Sequence, residues 1–121
     1  MQVRQPDVGQ VKLASGLNVL AGIWEILAPF ILGYAALATP TTNAIIVGLI
    51  VAVLAAVRFL GAYRAAWMSW VNAILGVWLI VAPFILGYAG TPRTNDIIVG
   101  IIIAVLGTWS ALASNSAYRT Y

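Results

Sequence analysis

The strongest constraint on this chain is a series of four mostly apolar stretches, each about as long as a helix that crosses a membrane. They cover residues 15–36, 43–62, 68–89 and 95–113. A membrane-spanning helix needs about 20 predominantly apolar residues. The stretches are apolar on all sides, whereas the strands of a membrane barrel alternate apolar and polar residues. The sequence therefore predicts an all-α membrane protein with four transmembrane helices.

Composition supports lipid as the surrounding medium. Hydrophobic residues make up 63% of the chain and charged residues 7%, against about 25% charged residues in ordinary soluble domains. These values argue against a soluble domain or a disordered chain. The chain has no cysteine and no histidine, which removes disulfides, thiolate metal sites and the commonest general base. We therefore expect no enzymatic activity, no metal and no bound cofactor.

The remaining residues are expected to form short connections and tails. The predicted organisation is an N-terminal tail over 1–14, a first helical hairpin over 15–62, a loop over 63–67, a second hairpin over 68–113 and a C-terminal tail over 114–121. The segments 39–43 and 91–95 are Thr-Pro-Thr-Thr-Asn and Thr-Pro-Arg-Thr-Asn. We expect their Thr or Asn side chains to cap the helix that follows. The last four residues are expected to form a free tail.

The two hairpins are copies of one unit. Residues 15–35 align with 69–89, and residues 39–57 align with 91–109; more than half of the aligned positions are identical in both comparisons. Each copy crosses the membrane twice, so both copies point the same way. The expected arrangement is a parallel repeat with a pseudo-two-fold axis along the membrane normal.

Each copy carries the pattern Asn-x3-Gly-x-Trp, followed after four residues by Pro-Phe-Ile-Leu-Gly-Tyr. At these residues the chain resembles the SPW repeat family, which comprises small bacterial and archaeal membrane proteins with two such hairpins. The resemblance covers about residues 14–112 and implies a fold and a membrane location, but no activity. The Ser-Pro-Trp triplet that names the family is replaced here by Ala-Pro-Phe in both copies. The motif residues are Asn18, Gly22, Trp24, Pro29, Phe30, Gly33 and Tyr34, and in the second copy Asn72, Gly76, Trp78, Pro83, Phe84, Gly87 and Tyr88.

The spacing of the small and polar motif residues places them on one face of the first and third helices. Small residues allow close helix packing in lipid, so this face is expected to line the bundle interior. The prolines are expected to kink these helices and to seat Phe30 or Phe84. An alternative is that each proline frees a carbonyl that coordinates an ion. The tryptophans are interpreted as packing residues or lipid-facing anchors.

Glu25 is the candidate functional residue, because it is an acid inside a predicted span. Its equivalent in the second repeat is Leu79, so the fold does not require the acid. From the predicted span it lies near the middle of the bilayer, where a charged side chain costs on the order of 2.5–3.5 kcal/mol. We expect a protonated, hydrogen-bonded acid or a contact with a partner subunit, with no second carboxylate beside it. Asp96 is expected to form a solvated pair with Arg93 or to contact the helix dipole.

The basic residues predict the orientation. Arg4, Lys12, Arg58, Arg64 and Arg119 fall on one predicted side of the membrane and Arg93 on the other. The positive-inside rule therefore predicts cytoplasmic termini in a bacterial or archaeal plasma membrane. The basic residues never cluster, so the net charge of +3 does not indicate nucleic-acid binding.

Three functions remain open from the sequence. The first is a structural or accessory subunit that packs against a larger membrane complex or against its own copies. The second is a small proton- or cation-coupled transporter or channel that uses Glu25. The third is a membrane subunit that binds a quinone, carotenoid or lipid. The expected partners are membrane lipid and other membrane subunits or further copies of this chain.

Overall fold

The computed structural model describes residues 2–115 and 117–120, and within them the four predicted helices are present. Their bounds are Val8–Ile31 (α1), Ala38–Leu60 (α2), Ala66–Leu86 (α3) and Thr91–Ala113 (α4). All four are long and apolar enough to cross a membrane. The predicted all-α fold of two tandem hairpins is confirmed.

Every helix begins earlier in the chain than the apolar pattern predicted. The helix α1 starts within the expected N-terminal tail, because the side chain of Asp7 accepts a hydrogen bond from the backbone N–H of Gln10 and caps the helix. Pro40 and Pro92 lie inside the first turns of α2 and α4 rather than in loops. A first-turn N–H has no partner within the helix, so proline is tolerated there.

The expected capping by Asn43 and Asn95 is therefore wrong. Both residues lie beyond the first turn of α2 and α4, and the N-cap residues Leu37 and Gly90 make no side-chain capping bond. Thr41 instead donates its hydroxyl to the carbonyls of Tyr34 and Ala35, at 3.1 and 3.3 Å. This bond ties the first turn of α2 to the preceding connection.

The helices run up and down in a bundle in which α1 packs against α2 and α4, and α3 against α4 and α2. The first residues of α1 and the last residues of α4 lie at the same end, where the backbone N–H of Asp7 donates to the carbonyl of Ala113 at 2.7 Å. We call this end the terminal end. The opposite end, formed by the α1–α2 and α3–α4 connections, is called the loop end.

A short antiparallel strand pair extends the terminal end. Strand β1 (Gln2–Gln5) pairs with β2 (Ala117–Thr120), in the register that places Gln2 opposite Thr120. Residues 118–120 were expected to be a free tail, but their backbone groups pair with the N-terminal segment instead. Tyr121 lies outside the described residues.

Glycines allow the two helices of each hairpin to approach closely. A Cβ added at Gly22 would lie 2.8 Å from the carbonyl oxygen of Gly48, and one added at Gly76 would lie 2.6 Å from that of Gly100. The two contacts are equivalent in the repeat. This close backbone approach is the packing that the small-residue spacing predicted.

The interior between the hairpins combines an apolar centre with polar layers. The apolar centre comprises Val47 and Val51 of α2, Leu79 of α3, and Val99 and Ile103 of α4. Large apolar side chains on the outer faces of all four helices are exposed. The expected interior face is confirmed except at Gly33 and Gly87, which are exposed in the turns where α1 and α3 end.

Candidate functional site

The repeated Pro-x3-Gly-Tyr sequence ends a helix and fixes the position of its tyrosine. Gly33 and Gly87 adopt φ values of 84° and 79°, a left-handed conformation that glycine adopts without strain. The next backbone N–H, from Tyr34 or Tyr88, bonds back to the carbonyl of Pro29 or Pro83 at 2.8 or 3.0 Å. This bond is the six-residue hydrogen bond found in the Schellman motif of helix C-termini. It turns each tyrosine back towards the loop end of the bundle.

Each motif tryptophan donates a hydrogen bond to an asparagine of the other repeat. The indole Nε1 of Trp24 lies 3.0 Å from Oδ1 of Asn95, and that of Trp78 lies 2.9 Å from Oδ1 of Asn43. Trp24 and Trp78 occupy equivalent positions in the two copies, as do Asn43 and Asn95. The two bonds are therefore reciprocal across the pseudo-two-fold axis.

The same asparagines also bind the motif tyrosines of the other repeat. Nδ2 of Asn95 donates to the hydroxyl of Tyr34 at 3.3 Å, and Nδ2 of Asn43 donates to that of Tyr88 at 3.1 Å. We call each set of three residues a Trp–Asn–Tyr clasp. An indole N–H without a partner in lipid costs free energy, and the clasps satisfy both indoles while joining the hairpins. Interpreting these tryptophans only as packing residues or anchors missed this role.

Glu25 lies beside a clasp and is fully buried. Nδ2 of Asn95 approaches its two carboxyl oxygens at 3.5 and 3.4 Å. The helix α1 ends at Ile31, so Glu25 is about 9 Å from that end at the usual rise per residue. Glu25 is therefore not at the middle of its helix, as the apolar stretch predicted: it lies within two turns of the loop end, because α1 both starts and ends earlier than that stretch.

A second carboxyl group lies next to Glu25. Asp96 is fully buried, and its carboxyl lies within hydrogen-bonding reach of that of Glu25. The hydroxyl of Tyr88 donates to Oδ2 of Asp96. The expectation that no second carboxylate accompanies Glu25 is wrong, and so is the expected pairing of Asp96 with Arg93, whose side chain is exposed. The prediction failed because residue 96 was placed at the start of its span, next to solvent.

The two tyrosines close this region from the loop end. Burial is the main cause that raises the pKa of both hydroxyls above the ordinary value of 10, and the nearby carboxyl groups add to the effect. Tyr34 and Tyr88 are therefore neutral hydrogen-bonding groups over the physiological range. Together with the two clasp asparagines and the two buried acids, the tyrosines form a polar layer between the helices near the loop end.

A separate polar cluster lies at the terminal end around Arg58. The guanidinium is fully buried, and its Nε–H donates to Ser69 at 2.9 Å. Its Nη1 group donates to the carbonyls of Ala62 and Tyr63 at 2.9 and 2.8 Å. Its Nη2 group donates to the carbonyl of Ser110 at 2.6 Å and to the hydroxyl of Ser114 at 2.7 Å. All five donors thus have an acceptor. Arg58, interpreted from the sequence only as a topology signal, joins α2 to α3, α4 and the connecting segment.

The remaining aromatic motif residues point away from the interior. Phe30 and Phe84 are 60% and 65% exposed, so neither ring is seated against the bundle as the kink prediction expected. The third interpreted anchor, Trp109, donates its indole N–H to Oε1 of Gln10 at 3.0 Å near the terminal end.

Outward-facing grooves flank the clasps on two sides of the bundle. One lies between α2 and α3, has a volume of about 700 Å³ and includes Asn43 and Trp78. The other side of the bundle has adjoining grooves of about 540 and 530 Å³ between α1 and α4, which share Trp24. In the part of the chain that the structure describes, no three acidic side chains group as metal ligands.

Comparison with known proteins gives one match. The family model of the SPW repeat domain matches residues 12–110. This range contains the aligned residues of both repeats, both clasps and both buried acids. No curated protein and no solved structure shows significant similarity to the chain.

Proposed function

Since this chain belongs to the SPW repeat family of small membrane proteins, we propose that it is a structural subunit that works by packing. Its four helices form a rigid block that associates through its outer faces with a larger membrane complex or with further copies of the chain. The protein is a small multi-pass integral membrane protein. Our proposal concerns its role in the membrane, which is to pack against other membrane subunits or further copies of the chain.

The single observation that carries this proposal is the contrast between interior and exterior. The polar side chains of the two clasps and of the Arg58 cluster bond to one another between helices. The outer faces present large apolar side chains, including Leu20, Ile46 and Ile74. In lipid, helices associate through shape and packing rather than through the hydrophobic effect. Such a surface supports recognition by shape.

Site-specific photo-crosslinking in the source membrane tests this proposal. A photoreactive amino acid is placed on the outer face of each helix, at Leu20, Ile46, Ile74 or Val105, and at the buried control position Leu79. We expect one outer face to give a reproducible protein adduct, either with a single membrane subunit or with a second copy. Adducts with lipid alone at all four outer positions would refute the packing role.

We also propose that the protein is not an enzyme. The chain lacks histidine and cysteine, which serve most often as general base and nucleophile. Two paired carboxyls do occur in glycosidases, but there they flank an open cleft. Here both acids are fully buried between helices, which supports a role without a substrate.

The orientation is part of the same proposal, with both termini in the cytoplasm of a bacterial or archaeal cell. Arg4, Lys12 and Arg64 support it, against Arg93 at the loop end. The natural chain has no cysteine, so Ala36→Cys and Asn115→Cys provide unique labels. We expect a membrane-impermeant maleimide to label residue 36 but not residue 115 in intact cells. The reverse pattern would invert the topology.

Proton- or cation-coupled transport is a second candidate, and the contact between Glu25 and Asp96 favours it. Intramembrane acids commonly mark ion pathways. In proteoliposomes, a pH gradient should then drive flux in the parent protein and not in Glu25→Gln. Flux that is unchanged in this variant, or absent from the parent, would exclude this candidate.

Binding of an amphiphile is a third candidate, and the grooves beside Trp24 and Trp78 favour it. The groove between α2 and α3 is lined by Asn43, and the groove between α1 and α4 that reaches the loop end is lined by Asn95; both otherwise have mostly apolar walls. Solvent extraction of the purified protein followed by mass spectrometry should then yield one stoichiometric quinone, carotenoid or lipid. A mixture that matches the bulk membrane lipid would exclude specific binding.

A further inference from the structure

Two carboxyl groups, those of Glu25 and Asp96, meet at the interface between α1 and α4. Glu25 and Asp96 are both fully buried and lie within hydrogen-bonding reach of each other. Oδ2 of Asp96 accepts the hydroxyl hydrogen of Tyr88, whereas its Oδ1 has no partner. An ionised carboxylate only accepts hydrogen bonds. The two groups can bond to each other only if one of them is protonated.

We propose that Glu25 and Asp96 form a proton-binding site, in which a proton on Glu25 is donated to Oδ1 of Asp96. The occupied site carries one negative charge rather than two. This arrangement gives the unpartnered Asp96 oxygen a donor and removes the repulsion between two carboxylates in contact. The site is independent of the packing role proposed above, because it concerns only groups inside the bundle.

The surroundings of the pair contain no compensating cation among the described side chains. The titratable groups that face it are Tyr34, from the α1–α2 connection, and Tyr88, from the α3–α4 connection. Arg58 is at the terminal end, and Arg93, in the first turn of α4, is exposed. The helices α2 and α3 contribute the neutral Asn43 and Trp78 to this layer. Two contacting carboxylates with no cation retain a proton between them.

The hydrogen bonds assign the proton to Glu25. Asp96 receives a strong donor, the hydroxyl of Tyr88, which is itself oriented by Nδ2 of Asn43 at 3.1 Å. Glu25 receives only the long contacts from Asn95 at 3.4 and 3.5 Å. Hydrogen bonds to a carboxylate favour its ionised form. The proton is therefore placed on Glu25, which receives only the longer contacts.

The repeat provides an internal comparison for this site. At the equivalent positions of the other interface, Leu79 replaces Glu25 and Ala44 replaces Asp96, and both are fully buried. The tryptophans, asparagines and tyrosines of the clasps are the same at both interfaces. One interface thus carries two acids and the other carries none. The fold accommodates an apolar pair at these positions, so the acids are additional to the packing.

The site communicates with the loop end through Tyr88. This side chain is only partly buried, and its hydroxyl contacts Asp96 directly. Asp96 lies about 7.5 Å from the start of α4, as estimated from the helical rise. The loop end is therefore the end of the bundle that lies nearer to the site.

Infrared spectroscopy of the protein in lipid nanodiscs tests the site. The chain has only three acidic side chains, Asp7, Glu25 and Asp96, so the C=O band of a protonated carboxylic acid is simple to assign. At neutral pH we expect one such band, which shifts in heavy water and disappears in Glu25→Gln. The control Asp7→Asn changes a carboxyl at the N-cap of α1 and should leave the band unchanged.

A second variant keeps the test valid if Glu25→Gln fails to fold. The double substitution Glu25→Leu with Asp96→Ala copies the other interface, and it should fold and lack the band. A parent spectrum without the band at neutral pH would overturn the proposal, as would a band that survives Glu25→Gln. Loss of the parent band on addition of sodium would identify a cation site instead and would also overturn it.

Discussion

The close approach of the helices within each hairpin predicts that a single added methyl group destabilises the protein. In Gly76→Ala the new Cβ would lie 2.5 Å from the backbone nitrogen of Ala104 and 2.6 Å from the carbonyl oxygen of Gly100. Ordinary contacts to a Cβ are 3.4–4 Å, so α3 and α4 must separate locally by roughly 0.8 Å. Backbone atoms cannot rotate away as a side chain does. Gly22→Ala meets Gly48 and Ala52 in the same way at 2.8 Å.

The expected change in the free energy of unfolding follows from two opposing effects. Overpacking of a well-packed interior typically costs 1–3 kcal/mol, whereas replacement of glycine by alanine inside a helix contributes up to about 1 kcal/mol through propensity. We expect a net loss of about 1–2 kcal/mol in the free energy of unfolding for Gly76→Ala, and a smaller or equal loss for Gly22→Ala. The two sites lie in different hairpins, so the losses should add.

The measurement is reversible unfolding in mixed detergent micelles, followed by tryptophan fluorescence. The matched control is Gly9→Ala, whose Cβ would lie 3.7 Å from the side chain of Asp7 in ordinary contact. This control should be as stable as the parent or slightly more stable. If Gly76→Ala were also as stable as the parent, the reasoning about backbone contact in the hairpins would be refuted.

Two further predictions concern the polar clusters. Substitution of Arg58 by Met removes the donor that Arg58 supplies to buried Ser69 and to the carbonyls of Ala62 and Tyr63 in the connecting segment. We expect a loss of about 2–4 kcal/mol in the same unfolding assay, and a loss under about 0.5 kcal/mol would contradict the structural role of the cluster. Because burial raises the pKa of Tyr34 and Tyr88, the contribution of these two hydroxyls to stability should be constant below pH 10 and should fall as the pH rises above it, since they ionise there only in the unfolded chain. The measurement is the tyrosinate absorbance of the folded protein at pH 11, which should be the same in the parent and in the double variant Tyr34→Phe/Tyr88→Phe. A smaller absorbance in the double variant would contradict the prediction, because it would show that these hydroxyls ionise in the native state.

The fold was largely predictable because a helix that crosses a lipid bilayer must be long and predominantly apolar, and both properties can be recognised in a sequence. Length and all-round hydrophobicity defined the helices, and the duplicated pattern defined the two hairpins. The spacing of the small and polar motif residues around Gly22 and Gly76 also predicted close packing, since small residues at every third or fourth position mark one helix face. The helix ends were less predictable, because Pro40 and Pro92 resemble loop residues but occupy first turns.

The candidate site was only half predictable for a related reason. Glu25 was evident as an acid in an apolar stretch, but its partner Asp96 was assigned to the membrane surface when α4 was predicted to begin at residue 95. The pairing of Trp24 with Asn95 depends on which faces of the two hairpins meet, and spacing within one repeat carries no such information. The sequence did contain one usable signal: each copy places an asparagine at the same position, and an indole N–H in lipid requires an acceptor.

The central claim is that the motif residues join the two repeats through reciprocal bonds from each tryptophan to the asparagine of the other copy. The most direct measurement is the indole N–H spectrum of ¹⁵N-tryptophan protein in nanodiscs, with the five signals assigned by single Trp→Phe variants. Asn95→Ala should move the signal of Trp24 and leave that of Trp78 in place, and Asn43→Ala should do the opposite. A variant that moves the tryptophan of its own repeat, or neither signal, would contradict the account.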